Sequence, residues 1–147
     1  MFSRQYLVLG RWLFSAIFIM AGVTHFTSNV RALAAHQGIP GWATGAAGLL
    51  ACAGGLSVAL GIRARIGAWL LVAFLVPVTL TMHRFWGLAD PQQSSAQFVE
   101  FMKNLSMLGG ALAFAYFGSG PSSLDSVHTT VHRPSRVTLR EREPSLK

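Results

Sequence analysis

The chain has 147 residues, of which 52% are hydrophobic and 12% charged, and 12 Lys and Arg face 5 Asp and Glu for a formal net charge of +7. A soluble domain carries about 25% charged residues, so this composition, with a mean hydropathy of +0.45, is at odds with a soluble protein and points to a membrane protein. Cys52 is the only cysteine, which excludes internal disulfides, CxxC redox pairs and cysteine-rich metal sites, and with them the four-helix thiol oxidoreductases of membranes.

In chain order, membrane helices are predicted near residues 6–26, 42–62, 65–83 and 99–118, each close to the roughly 20 residues that cross about 30 Å of hydrocarbon. The first span carries Arg11 a turn inside one end and finishes at Thr24-His25. Its apolar run is longer than that of a signal peptide, and Met20 to His25 offers no A-x-A cleavage site, so it reads as a span. A loop with His36 and a Gly38-Ile39-Pro40-Gly41-Trp42 turn follows. The second span bears small residues at Ala43, Ala47, Ala51, Gly55 and Ala59, a smooth stripe for close helix packing. Pro77 predicts a kink in the third span, which ends at His83-Arg84 beside the aromatics Phe85 and Trp86. The fourth span opens with Glu100, Lys103 and Asn104 on one face, and Ser106, Gly109 and Gly110 form its small-residue surface.

Arg4, Arg63, Arg65 and the tail residues Arg133, Arg136, Arg140, Arg142 and Lys147 fall on one side of this layout, against Arg31 and Arg84 opposite. The positive-inside rule then puts both termini in the cytoplasm. The predicted fold class is all-α, an integral membrane four-helix bundle. Residues 1–125 form the transmembrane domain and residues 126–147 a disordered, basic cytoplasmic tail resting on lipid headgroups. The scattered basic residues give no nucleic-acid signal.

This layout gathers His25, His83, Arg84, Glu100, Lys103 and Asn104 at the outer mouth, where the first loop and Phe85, Trp86 and Phe98 form a lid. A charge inside a membrane segment marks a functional site by default, so these six residues are the ligand-binding candidates. The plainer reading is that Arg84 and Lys103 snorkel to headgroups while the histidines cap helix ends. No metal is expected, since His25, His83 and Glu100 lack the i, i+4 spacing of a zinc helix. Asp125, in the run from Gly120, is the acid placed to meet Arg11 as a structural pair across the cytoplasmic end.

The chain resembles the DoxX family of four-helix inner-membrane proteins. The likeness runs through residues 11–22 with His25, Gly38-Ile39-Pro40, Gly54-Gly55 with Gly61, His83 to Trp86, Phe101 to Asn104 with Gly109-Gly110, and Gly120 to Asp125. It covers about residues 4–125. Members commonly have a glutamate just before the glycine pair, where this chain has Ala51, and often a lysine where it has His25. The resemblance implies a multi-pass protein of the bacterial plasma membrane. The family is named after a membrane subunit associated with thiosulfate:quinone oxidoreductase, which suggests a link to quinones or sulfur compounds.

Two functions follow as expectations. One is an accessory membrane subunit that holds a small ligand, a protein partner or a second copy of itself at its outer mouth, with no intrinsic cofactor. The alternative is the membrane subunit of a quinone-linked oxidoreductase, with Arg84 and Lys103 attracting a quinone headgroup or sulfur oxyanion and His83 or Glu100 exchanging protons. A transporter is disfavoured, because the polar residues lie on one side and no internal repeat is evident.

Overall fold

The computed structural model describes residues 3–120 and 122–125, so the predicted disordered tail lies outside the described residues. Five α-helices, α1 (Ser3–Thr24), α2 (Ser28–His36), α3 (Gly41–Leu60), α4 (Ala64–Met82) and α5 (Pro91–Phe117), and a 3-10 turn at Phe85–Gly87 are the regular elements among them. α1, α3 and α4 are long and apolar enough to cross a membrane. The fourth predicted span differs. α5 is 27 residues long, about 40 Å, and the polar turn of Glu100, Lys103 and Asn104 keeps it off the set of apolar spans.

Two boundaries depart from the sequence reading. α2 occupies what was expected to be loop, and α5 begins eight residues before the predicted 99. Asp90 starts it: its Oδ1 accepts from the Gln92 N–H at 3.0 Å, and Pro91 takes the first helical position, where a missing N–H goes unfelt. Glu100 therefore sits in the third turn of α5, not at the opening of the helix, and receives no help from the helix N-terminus. α4 runs as one helix through Pro77.

α1 packs on α3, α3 on α4 and α4 on α5. Between α1 and α5 the gap is filled by the Phe14 ring, which lies 5.0 Å from the ring of Phe114 and stands directly over Gly110. Gly110 thus serves the predicted small-residue surface, whereas Gly109 has open space around it and Ser106 faces outward, its hydroxyl bonded to the Met102 carbonyl. The core holds Phe18, Ala51, Val58, Ala68, Leu71, Phe74, Leu75 and Ala111, and Phe18 meets Phe74 edge-on at 6.4 Å. Large apolar side chains, among them Leu13, Met20 and Ile66, are exposed around the bundle. On a soluble monomer that would be an aggregating surface; around a membrane bundle it is the lipid-facing one.

The seam between α1 and α3 is a backbone-to-backbone contact. A Cβ on Gly22 would lie 2.7 Å from the Cys52 nitrogen and 2.8 Å from the Gly48 carbonyl oxygen, with the Cys52 sulfur nearer still. Backbone cannot move aside as a flexible side chain can. Gly22→Leu is therefore expected to destabilise the bundle by at least about 2 kcal/mol, while Gly10→Ala, with nothing within 4 Å of its Cβ position, should stay within about 1 kcal/mol. Denaturant titration in detergent measures both.

Candidate functional site

The end of the bundle that carries α2 and the 83–90 connection is hollow. A pocket of about 320 Å³ lies between α1, α3 and α4, with Val30 and Ala34 of α2, Ile39 and Trp42 closing over it. Its walls are Ala43, Ala46, Ala47, Leu50, Ala73, Phe74, Pro77 and Val78. Small alanines on α3 leave the space that larger residues would fill. The polar lining residues are His25, Thr44 and Thr81, and no acid, lysine or arginine is among them.

These polar groups are in different states. Thr81 donates from Oγ1 to the Pro77 carbonyl at 2.7 Å. His25 donates from Nδ1 to the Ala21 carbonyl at 2.6 Å and lies edge-on to Phe74 at 5.5 Å, which leaves Nε2 of the neutral ring as an acceptor. Thr44 is 4% exposed and its Oγ1 has no hydrogen-bond partner. An unmade bond on a buried hydroxyl costs about 1–3 kcal/mol. The sequence reading passed over Thr44, and its one available signal was a threonine within an otherwise Ala- and Gly-rich stretch.

Next to the pocket lies a more polar cleft of about 510 Å³, lined by Gln37, Thr81, Met82, Arg84, Trp86, Gln93 and Gln97 among others. Thr81 and Met82 belong to both spaces. Arg84 is exposed at the rim, and His83 meets Gln97 from Nδ1 to Oε1 at 2.9 Å. The 3-10 turn is fixed to α5 by Ser94, whose hydroxyl donates to the Phe85 carbonyl at 2.9 Å, and by Phe85, whose ring meets Phe98 and Phe101 at 5.1 and 5.4 Å.

The remaining candidates lie elsewhere. Lys103 Nζ donates to both oxygens of Glu100, at 2.8 and 2.9 Å. Gln97 is level with His83, so Glu100 and Lys103 lie about 4.5 and 9 Å further along α5. Their side chains are 44% and 53% exposed on the outside of the bundle, and neither lines the pocket or the cleft. Asn104, one residue on, is buried. The six candidates therefore split: His25 lines the pocket, Arg84 lines the cleft, His83 bonds the Gln97 that lines it, Asn104 is inside the bundle, and Glu100 with Lys103 faces outward.

At the opposite end the two residues of the expected pair lie together. The Arg11 side chain, 3% exposed, donates from its two terminal nitrogens to the carbonyls of Ser119 and Ser122, at 2.7 and 2.9 Å. Asp125 accepts from the Arg63 N–H at 2.9 Å and from the Ser119 hydroxyl at 3.4 Å. Arg11 and Asp125 are thus linked through Ser119. Gly61, with a φ of 67°, makes this possible: a Cβ there would lie 2.5 Å from that of Ser123.

A helical bundle with an exposed apolar surface and three helices long and apolar enough to cross a bilayer is an integral membrane protein. The DoxX family model matches residues 6–84, more than half of the chain, and the chain belongs to the DoxX family. The match takes in α1 to α4 with His25, Thr44, His83 and Arg84 and stops before α5, short of the span of the likeness read from the sequence. No curated protein and no solved structure matches the chain.

The two charged sites should respond differently to substitution. Arg11→Met strands two carbonyls in the bundle and is expected to cost about 3 kcal/mol. The double change Glu100→Gln with Lys103→Met should alter stability by at most about 1 kcal/mol, because an exposed pair contributes little. Unfolding titrations of the purified protein in detergent compare them.

Proposed function

We propose that the protein is an accessory membrane subunit that holds a small, mainly apolar ligand in the pocket under α2 and presents α5 to a protein partner or a second copy. The observation that carries the first half is the pocket itself: apolar, roofed by a separate short helix, and containing a buried hydroxyl without a partner. A pocket of roughly 300 Å³ is within the range of small-molecule sites. The second half rests on the Glu100–Lys103 pair, which faces away from the bundle on a helix packed beside the apolar spans. A pair in that position is better accommodated against another protein surface than against lipid.

A second reading is favoured by the adjacency of pocket and cleft, which share Thr81 and Met82 as lining residues. A molecule with an apolar body and a polar head would lie across both, with Arg84 at the head. A quinone in a quinone-linked oxidoreductase has that form, as does a lipid. The chain has no thiol pair, so any further electron carrier would be supplied by a partner.

In the proposed orientation the α2 end faces outward from the bacterial plasma membrane and both termini are cytoplasmic. With Cys52 replaced by Ser, a Ser94→Cys protein in intact cells should react with a membrane-impermeant maleimide and a Ser135→Cys protein should not; the reverse would overturn the orientation.

Purification in mild detergent followed by mass spectrometry tests the functional reading. The wild type is expected to carry a small apolar molecule at near-stoichiometric amount, and Ala47→Phe, which fills the pocket, should lose it. The Glu100→Gln, Lys103→Met protein should keep the molecule and lose its protein partner or self-association. A wild type that carries neither small molecule nor partner would overturn the proposal.

A further inference from the structure

The state of the polar groups in the pocket narrows the chemistry of what it takes. Thr44 stands four residues after Pro40, whose carbonyl would normally receive a helical threonine hydroxyl. That carbonyl already accepts from the N–H groups of Ala43 and Thr44, at 2.9 and 3.3 Å, and Thr44 Oγ1 is left without a partner. His25 spends its proton on Ala21, so its other nitrogen has a lone pair and seeks a donor. The pocket thus holds one group that only accepts and one that can donate.

We propose that the pocket binds a neutral, largely apolar molecule whose polar end is a single hydroxyl group, an alcohol or a phenol, with His25 and Thr44 as its hydrogen-bond partners. The inference rests on reading the pocket as a ligand site. A hydroxyl donates to His25 Nε2 and accepts from Thr44, so one group satisfies both residues. A carbonyl or ether oxygen can accept from Thr44 but has nothing to give His25. A carboxylate or ammonium would be a charge among walls that contain no opposite charge, which is disfavoured strongly.

The test uses the full chain in nanodiscs and three probes of one shape: 1-naphthol, 1-methoxynaphthalene, which only accepts, and naphthalene. Equilibrium dialysis gives binding above that of Ala47→Phe nanodiscs, which serve as the filled-pocket background. Wild type is expected to bind 1-naphthol about tenfold more tightly than 1-methoxynaphthalene. Thr44→Val and His25→Phe should each reduce that preference to under about threefold and leave naphthalene binding unchanged. If either variant fails to accumulate, the other carries the comparison, and the wild-type preference among the three probes stands on its own. Equal binding of all three probes by the wild type would overturn the hydroxyl assignment and leave the pocket as a ligand site. Binding of all three no greater than in Ala47→Phe nanodiscs would overturn the ligand site as well.

Discussion

The architecture depends on the absence of side chains along α3. Where Gly22 of α1 meets Gly48 and Cys52 of α3, backbone touches backbone, and in a lipid environment such close packing has to supply what the hydrophobic effect supplies in water. The same stretch determines the pocket. A Cβ on Gly48 would lie 2.9 Å from that of His25, so the bare backbone that lets α1 approach also makes room for the histidine. Towards the start of α3 from Gly48, Ala43, Ala46 and Ala47 are too short to reach α4 at its α2 end, and the space remains open. Close approach and cavity are thus two results of one run of small residues.

The other end of the bundle is held by polar contacts. A guanidinium buried among helices is expensive, and Arg11 meets the requirement with peptide carbonyls in place of a carboxylate. Carbonyls of Ser119 and Ser122 are available because the chain after α5 turns back over α1, and it can turn there because Gly61 has no side chain to obstruct Ser123. Asp125 then accepts the N–H of Arg63 and its own N–H bonds to the Gly61 carbonyl at 3.0 Å. The segment after α5, the α3–α4 turn and α1 are therefore joined by hydrogen bonds, and the hollow end is opposite the locked one.

Much of this was legible in the sequence, and the misses have physical causes. Apolar length located α1, α3 and α4, and spacing located the Glu100–Lys103 contact, because both are local properties of a helix. The start of α5 was placed too late because apolar content was used to find it, although Asp90-Pro91 is a helix-start signal that does not depend on hydropathy. α2 is short, and with few apolar positions it gave no span. Arg11 lies at the Asp125 end and is held by the carbonyls of Ser119 and Ser122; a partner read from charge can only be a charged residue, and carbonyl acceptors carry no mark in a sequence. Thr44 was missed for the opposite reason: its significance lies in a bond it does not make.

The polar turn of α5 separates this helix from the other three long ones. A Glu–Lys pair three residues apart neutralises itself, so the turn needs no counter-charge from elsewhere in the bundle, and its two charged residues line neither cavity. Self-neutralisation lowers the expense of the two charges without removing it, since both side chains remain about half exposed. What would remove it is a polar surface laid against the outer face of α5. The pocket and the charged turn are thus separate features, one apolar and walled by α1, α3 and α4, the other charged and on the outside of α5, and a change at one need not disturb the other.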